Sequence, residues 1–416
     1  MRRHILSDFP LALGALFLSL YGLAMVYSAG QTDVPTVAAN AYRSQLVWLV
    51  LGLVVALVTT RASVRLTEWL TTPAYAFTIA LLVITLVAGT GAGTAASTKS
   101  WLTIGGIRLG QPAELAKVTV VLMLAKVLAA RKEPPKSLLE LWKPGLAVLI
   151  PWLLIMRQPD LGTGIVFIGI FFAMLFWSGV PLPLLVLIAS PAVSLILAFN
   201  TSLWGAWFLL LLALVLWYRP FLTEGVTLMV ANVAMGVVAP VLWERLAPYQ
   251  RHRLLVFLDP SIDPRASGWH VIQSQVAIGS GGWAGKGFTL GTQKRLAFLP
   301  EQHTDFIFAV VGEELGFLGV SVALLGFLFL LLRAVRVAAR ANDSFSSLIA
   351  FGLASSWLVH VVVNIGMTLN LMPITGIPLP FFSYGGSFML ASWLSIGLLL
   401  RISSEGRGGR VGELAI

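Results

Sequence analysis

An all-α bundle of helices that crosses a membrane many times is the fold class this sequence predicts, and three observations predict it. Only 11% of the 416 residues are charged and 57% are hydrophobic, whereas about a quarter of a soluble domain is charged. Mean hydropathy is +0.88. The apolar residues also gather into runs approaching the roughly 20 residues that an untilted span needs. In lipid each backbone polar group must be satisfied within the segment, so such runs are expected as helices.

The first run, Phe9 to Tyr27, follows Met1-Arg2-Arg3-His4. It exceeds the roughly 7 to 15 residues of a signal-peptide core and is expected to stay as a span. Then come Leu46 to Thr60, Pro73 to Gly89, Pro112 to Ala130, Pro144 to Met156, Leu161 to Gly179 and Leu182 to Phe199. The series continues with Trp204 to Tyr218, Gly225 to Leu242, Phe306 to Leu332, Ser346 to Met367 and Phe388 to Leu400. Twelve candidate spans result, in a single membrane domain covering 1–416, with a tail from 402 to 416.

Basic residues favour cytoplasmic segments. With the amino end inside, fifteen Lys and Arg fall in inside segments and four in the short outside ones. Both termini are therefore expected in the cytoplasm, and the long segment 243–305 outside. That segment carries seven more basic residues, which does not reverse the topology because long loops translocate largely regardless of charge.

The net charge of +10 is scattered between apolar spans and lacks the clustered face that nucleic acid needs. The lipid bilayer, with its anionic head groups, and phosphate-bearing lipid substrates fit it better. There is no cysteine, which removes disulfides, thiolate nucleophiles and cysteine metal sites.

The stretch from Tyr249 to Gly316 concentrates polar, charged, glycine and aromatic residues between two apolar runs. So long a connection is usually functional or disordered. Trp269, Trp283, Phe288 and Phe298 give it a means to pack, so it is expected as an ordered functional loop. Gly279-Ser-Gly-Gly and Gly285-Lys286-Gly287 permit close backbone approach, either as tight turns or as a phosphate cradle; no Walker motif is present. Gln273, Gln293, Lys294 and Arg295 add donors for a pyrophosphate or sugar.

Ionisable residues inside spans suggest function by default. Glu114 and Lys117, three apart, share a helix face and can pair with each other. Glu313 and Glu314 either face a cavity or balance Lys117 or a loop cation. Lys126 is expected to snorkel. Asp305 stands at the mouth of a span beside His303 and Thr304, and its plainer reading is a helix N-cap.

Several words together identify a resemblance. LDPSIDPRASGWHVIQSQVAIGSGG, GKGFTLGTQKRLAFLPEQHTDFIFAVVGEELG and NIGMTLNLMPITGIPLPFFSYGGS, with QPAELAK at Gln111 to Lys117 and QPDLGT at Gln158 to Thr163, resemble the SEDS family of shape, elongation, division and sporulation proteins. Gly291-Thr-Gln293 and Asn364 to Met367 resemble its RodA, cell-elongation branch. The matching words run in order over most of the chain. Departures are Ala113 and Trp269, where serine and tyrosine are usual, and Asn200 to Leu242, which reads as a helical pair (200–242) added to a core of ten spans.

The resemblance implies a peptidoglycan glycosyltransferase that polymerises lipid II onto a growing glycan strand. It also implies a class B penicillin-binding protein transpeptidase as partner within the elongation machinery, and a place in the bacterial inner membrane with the site facing outward. Asp305 would be the essential acid, acting as catalytic base. Glu114, Lys117, Lys286, Gln293, Lys294, Arg295, His303 and Thr304 are the expected substrate-binding residues, with the lysines and Arg295 on the pyrophosphate. No cofactor is certain; a divalent cation such as Mg2+ is a candidate, although no ligand cluster stands out. A lipid II flippase is the alternative, since buried acids and lysines also suit a transport path.

Overall fold

The computed structural model describes residues 8–33, 36–91, 100–104, 107–246, 248–259, 267–299 and 301–413. In chain order the helices are α1 (Phe9–Ala29), α2 (Ala41–Arg61), α3 (Val64–Ala88), α4 (Pro112–Ala129), α5 (Trp142–Arg157), α6 (Leu161–Trp177), α7 (Leu182–Leu197), α8 (Thr201–Tyr218) and α9 (Leu222–Arg245). The remainder are α10 (Pro248–Leu258), α11 (Ser267–Ser280), α12 (Thr292–Arg295), α13 (Ile307–Ala339), α14 (Ser344–Thr368) and α15 (Gly386–Glu413). Each of the twelve apolar runs lies within or largely within one helix. Nine helices among the described residues are long and apolar enough to cross a membrane, while α6 and α7 are apolar but shorter.

Helix starts follow local chemistry. Asp8, Ser63, Asp160, Asn200 and Asp343 each accept a hydrogen bond from a backbone N–H of the first turn, which satisfies a donor that has no intrahelical acceptor. Between α3 and α4 a small antiparallel hairpin, β1 (Leu102–Ile104) with β2 (Ile107–Gly110), departs from the purely helical expectation. The last helix continues through most of the segment expected as a tail.

One core joins α1 to α7 with α13, α14 and α15. The pair α8 and α9 stands apart from it, packing on α7 around Leu187, Leu211 and Leu228. Polar groups reinforce that junction: Ser194 Oγ donates to Asn232 Oδ1 at 2.6 Å, and Asn232 Nδ2 donates to Ser190 Oγ at 2.7 Å.

The region 243–305, expected as a loop, is partly helical. It carries α10, α11 and α12, with α11 lying against α13 and α14. At about 1.5 Å per residue, the 33 residues of α13 would extend roughly 50 Å, well beyond a hydrocarbon core of about 30 Å. The helix is in fact broken at Gly316, which has φ 60° and ψ −157°. Its first part, Ile307 to Glu314, is buried throughout, and only the part beyond Gly316 presents an apolar exposed face.

Candidate active site

Asp305 lies in a turn that enters α13, half-buried. Three successive carbonyls of this turn are held by the segment leading into α15 and by α14. The backbone N–H of Tyr384 donates to His303 O at 2.9 Å, Ser383 Oγ to Thr304 O at 2.7 Å and Asn364 Nδ2 to Asp305 O at 2.9 Å. Ser383 also accepts from Leu379 N, and Gln45 of α2 bridges Ser383 O and Gly385 N. Gly376 sits against the acid, with φ +70° and a Cβ position only 3.3 Å from Asp305 Oδ2. A side chain there would be both strained and crowded. The residue that caps α13 is Phe306, with no side-chain cap bond, so the plainer expectation for Asp305 does not describe this helix start.

His303 and Thr304 belong to the same turn. The His303 ring packs on Tyr384 at 5.5 Å between centroids, and burial holds its pKa below the ordinary 6.5, opposed by nearby Glu301. Thr304 Oγ1 donates within the turn to Glu301.

A second group lies deeper between α4 and α14. Lys117 Nζ is 2.7 Å from Glu114 Oε2, and both side chains are about 95% buried. The same ammonium lies 2.8 Å from His360 Nε2 and 5.0 Å from the centre of the Phe388 ring. His360 Nδ1 is 2.9 Å from Pro378 O. A carbonyl only accepts, so the ring proton sits on Nδ1 and leaves Nε2 as acceptor for Lys117. His360 and Asn364 are four apart on α14 and therefore share a face. Through them the Glu114–Lys117 pair and the Asp305 turn hang on one helix, with Asn364 also donating to Ile377 O at 2.7 Å. Nearby, Gln111 Nε2 donates to Asp160 Oδ2 at 3.1 Å.

The loop lysines are engaged elsewhere. Lys286 Nζ lies 2.7 Å from Glu313 Oε1, which also accepts from Thr292 Oγ1 and from the backbone N–H of Gln293. Lys294 is fully buried, 2.8 Å from the equally buried Glu314. It also donates to the carbonyl and hydroxyl oxygens of Ser28 at the end of α1, at 2.6 and 2.8 Å. Arg295 pairs at the surface with Asp33 at 3.0 Å. Lys294 is thus withdrawn from any outside ligand, contrary to the expectation of a pyrophosphate contact, because Glu314 in the apolar interior demands a counter-charge.

The glycine words answer a backbone need. At the break in α13, Lys286 N donates to Glu313 O and Gly287 N to Glu314 O, while Phe317 N donates to Gly282 O and Leu318 N to Trp283 O. Loop and helix touch main chain to main chain: a Cβ on Gly281 would lie 1.9 Å from Gly312 O, and one on Gly285 2.1 Å from Glu314 O. This is the close approach glycine permits. It uses the amides that a phosphate cradle would need.

Thus Asp305, His303 and Thr304 come together, Glu114 and Lys117 join them through α14, and Lys286, Gln293 and Lys294 gather around Glu313 and Glu314. His360, Asn364 and Ser383 were not singled out from sequence as site residues. A histidine within an apolar run is the signal that could have found the first. A cavity of about 590 Å3 lies at the opposite end of the bundle among Lys132, Trp177 and Asp343; the cavity beside Glu114 and Lys117 is only about 20 Å3. The chemistry, rather than the cavity size, marks the site.

The cell cycle protein family FTSW_RODA_SPOVE matches residues 10–207 and 205–408. The peptidoglycan glycosyltransferase RodA of Treponema pallidum is 35% identical over 436 residues, covering 97% of this chain and 100% of its own. The peptidoglycan glycosyltransferase MrdB of Escherichia coli K12 is 34% identical, over 94% of this chain and 91% of its own. A chain from a solved peptidoglycan synthase complex, described as coordinating polymerization and crosslinking, superposes with a TM-score of 0.70 at 29% identity, over 96% of this chain and 98% of that one. The rod shape determining protein RodA of Thermus thermophilus gives 0.61 at 26% identity, over 95% and 96%.

Proposed function

Because this chain belongs to the FtsW, RodA and SpoVE family of cell cycle proteins, on its RodA branch, it is a peptidoglycan glycosyltransferase, and we propose that it polymerises lipid II with Asp305 as general base. The observation that carries the proposal is the clasp on His303, Thr304 and Asp305, which fixes the backbone around one acid at the mouth of the bundle. Fixed geometry is what proton transfer in a transition state requires.

Lipid II is an α-linked sugar pyrophosphate and the glycan is β-1,4, so transfer inverts the donor carbon. Asp305 takes the proton of the acceptor 4-hydroxyl as that oxygen bonds to the donor C1. The bond from C1 to the pyrophosphate oxygen breaks, and the electron pair leaves with the pyrophosphate. Lys117, paired with Glu114 and oriented by His360, is the cation assigned to meet that developing charge. His303 and Thr304 flank the acceptor. Lys286, Gln293 and Arg295 remain candidates for the outer parts of the lipid-linked sugar, whereas Lys294 serves the loop. Among the described residues no group of three or more His, Asp or Glu side chains could hold a metal ion, and each step above is carried by this chain's own residues.

In this reading both termini are cytoplasmic, Asp305 faces outward, and a single-span class B transpeptidase of the elongation machinery docks on the outward helix ends. Purified chain in detergent with lipid II tests the activity. Glycan strands are expected, and since no bilayer is present they would exclude a flippase as the whole description. Absence of strands, with and without the co-purified transpeptidase, would overturn the proposal.

A further inference from the structure

We propose that the end of the bundle remote from Asp305 binds the phosphate headgroup of an anionic phospholipid, through Arg333, Arg336 and Arg340 of α13. The three arginines line a cavity of about 70 Å3 with Asp8 of α1 and Ser403 and Gly406 of α15. Spacings of three and four put them on one face of the helix.

The acid supply there falls short of the cations. Asp8 is the one carboxylate on the cavity, and it is taken by Arg333 at 2.5 Å and by the first turn of α1. The adjacent Glu405 holds Arg401 at 2.6 Å and accepts from Val64 N. Arg336 and Arg340 are exposed, and neither has an ion-pair partner among the described residues. Arg333 Nε is buried without a hydrogen-bond partner. A helix C-terminus favours a cation in its last turn, but that does not account for a buried guanidinium donor left unsatisfied. A phosphate oxygen does, since guanidinium matches phosphate in planar, two-point geometry.

The surroundings select a lipid over a soluble anion. Leu325, Leu328 and Leu332 are 63, 51 and 56% exposed, and their spacing leads along one face of α13 to Arg336. Phe9 and Leu13 of the adjoining α1 are also exposed. An apolar track that ends in unpaired cations at a helix end fits an acyl chain below an anionic headgroup, and basic pockets between spans bind such lipids.

Full-length protein is reconstituted in phosphatidylcholine vesicles containing phosphatidylglycerol, extracted, and its retained lipid measured by native mass spectrometry. Wild type is expected to retain phosphatidylglycerol selectively, less so as salt rises. Arg336→Gln with Arg340→Gln, which leaves the Asp8–Arg333 pair intact, is expected to lose selectivity on the order of 30-fold, from about 1 kcal/mol per arginine at an anionic surface. Equal retention by variant and wild type, or no preference in wild type, overturns the proposal. Displacement of the lipid by inorganic phosphate overturns the lipid assignment and leaves a soluble-anion site. Should the double variant fail to fold, Arg340→Gln alone is read against the same outcomes.

Discussion

The side-chain amide of Asn364 lies 2.9 Å from the backbone oxygen of Asp305 and 2.7 Å from that of Ile377, so one residue of α14 ties the acid's turn to the segment that clasps it. Both bonds use its donor nitrogen. Asn364→Asp keeps the shape but replaces the donor, leaving two carbonyls without a partner at about 1 to 3 kcal/mol each. Thermal unfolding should shift down and polymerisation should fall with Asp305 intact. An unchanged melting temperature would show that the clasp does not depend on Asn364.

Asp305→Asn retains size and hydrogen-bonding capacity but cannot accept the acceptor's proton. Yield, melting temperature and transpeptidase co-purification should match wild type while glycan synthesis drops ~10² to 10⁴-fold. Since Asp305 is not the cap of α13, Asp305→Ala should be comparably inactive and lose no cap. A near-normal rate in the asparagine variant would move the search for the base to Glu114.

Removing one partner of the Lys294–Glu314 pair leaves a fully buried charge alone. Lys294→Met should cost about 3 to 5 kcal/mol, and the double change with Glu314→Gln should recover most of it. Lys286→Met, at a pair whose lysine is 27% exposed, should cost less. Chemical denaturation of wild type, both single variants of the pair, the double variant and Lys286→Met decides this, and additivity of the Lys294→Met and Glu314→Gln costs would argue against a coupled pair.

Burial lowers the His303 pKa below 6.5, so the folded loop prefers the neutral ring. As pH falls through 6.5 the unfolded chain takes up a proton before the folded one does, and stability declines from there toward the lowered folded value. Above pH 6.5 His303 contributes no pH slope. Replacing it with Gln should flatten the slope below 6.5, read as melting temperature against pH; an unaltered profile would assign the slope elsewhere.

Deleting 200–242 and joining the flanks removes α8 and most of α9, which meet α7 through a small apolar cluster and the bonds of Asn232 to Ser190 and Ser194. Ser190 Oγ already donates to Leu187 O of its own helix, so the exposed face of α7 keeps a satisfied hydroxyl. Activity should persist. A cysteine at exposed Ala284, in a chain with no other, should react with an impermeant reagent from outside the cell before and after deletion. Labelling only from the cytoplasm after deletion would show that the pair sets topology.

The helices were legible because lipid leaves an apolar run little alternative, and each run expected as a span is found within a helix. The glutamates were legible only as a choice between facing a cavity and balancing a cation. Lys286 settles it for Glu313, 27 residues away, and Lys294 for Glu314, while Lys294 also reaches Ser28 across 266 residues, distances over which periodicity says nothing. The same long range concealed the clasp: Ser383 and Thr304 are 79 residues apart. The helices α10 and α11 were hidden by loop-like composition, since their glycine, proline and charged neighbours obscure short apolar stretches. Asp305 itself was visible chiefly through the company of its motif.

The break at Gly316 has a consequence for the order in which the chain can be built. The groups that would close two bonds of an uninterrupted helix, Glu313 O with Phe317 N and Glu314 O with Leu318 N, instead make four bonds to residues 282–287, so neither strand of this splice is complete alone. Until residues 282–287 are in place, the start of α13 must wait with open amides and carbonyls. Loop and helix should therefore lock and open as one cooperative unit, and the amides of Lys286, Gly287, Phe317 and Leu318 should exchange with solvent deuterium at a common rate.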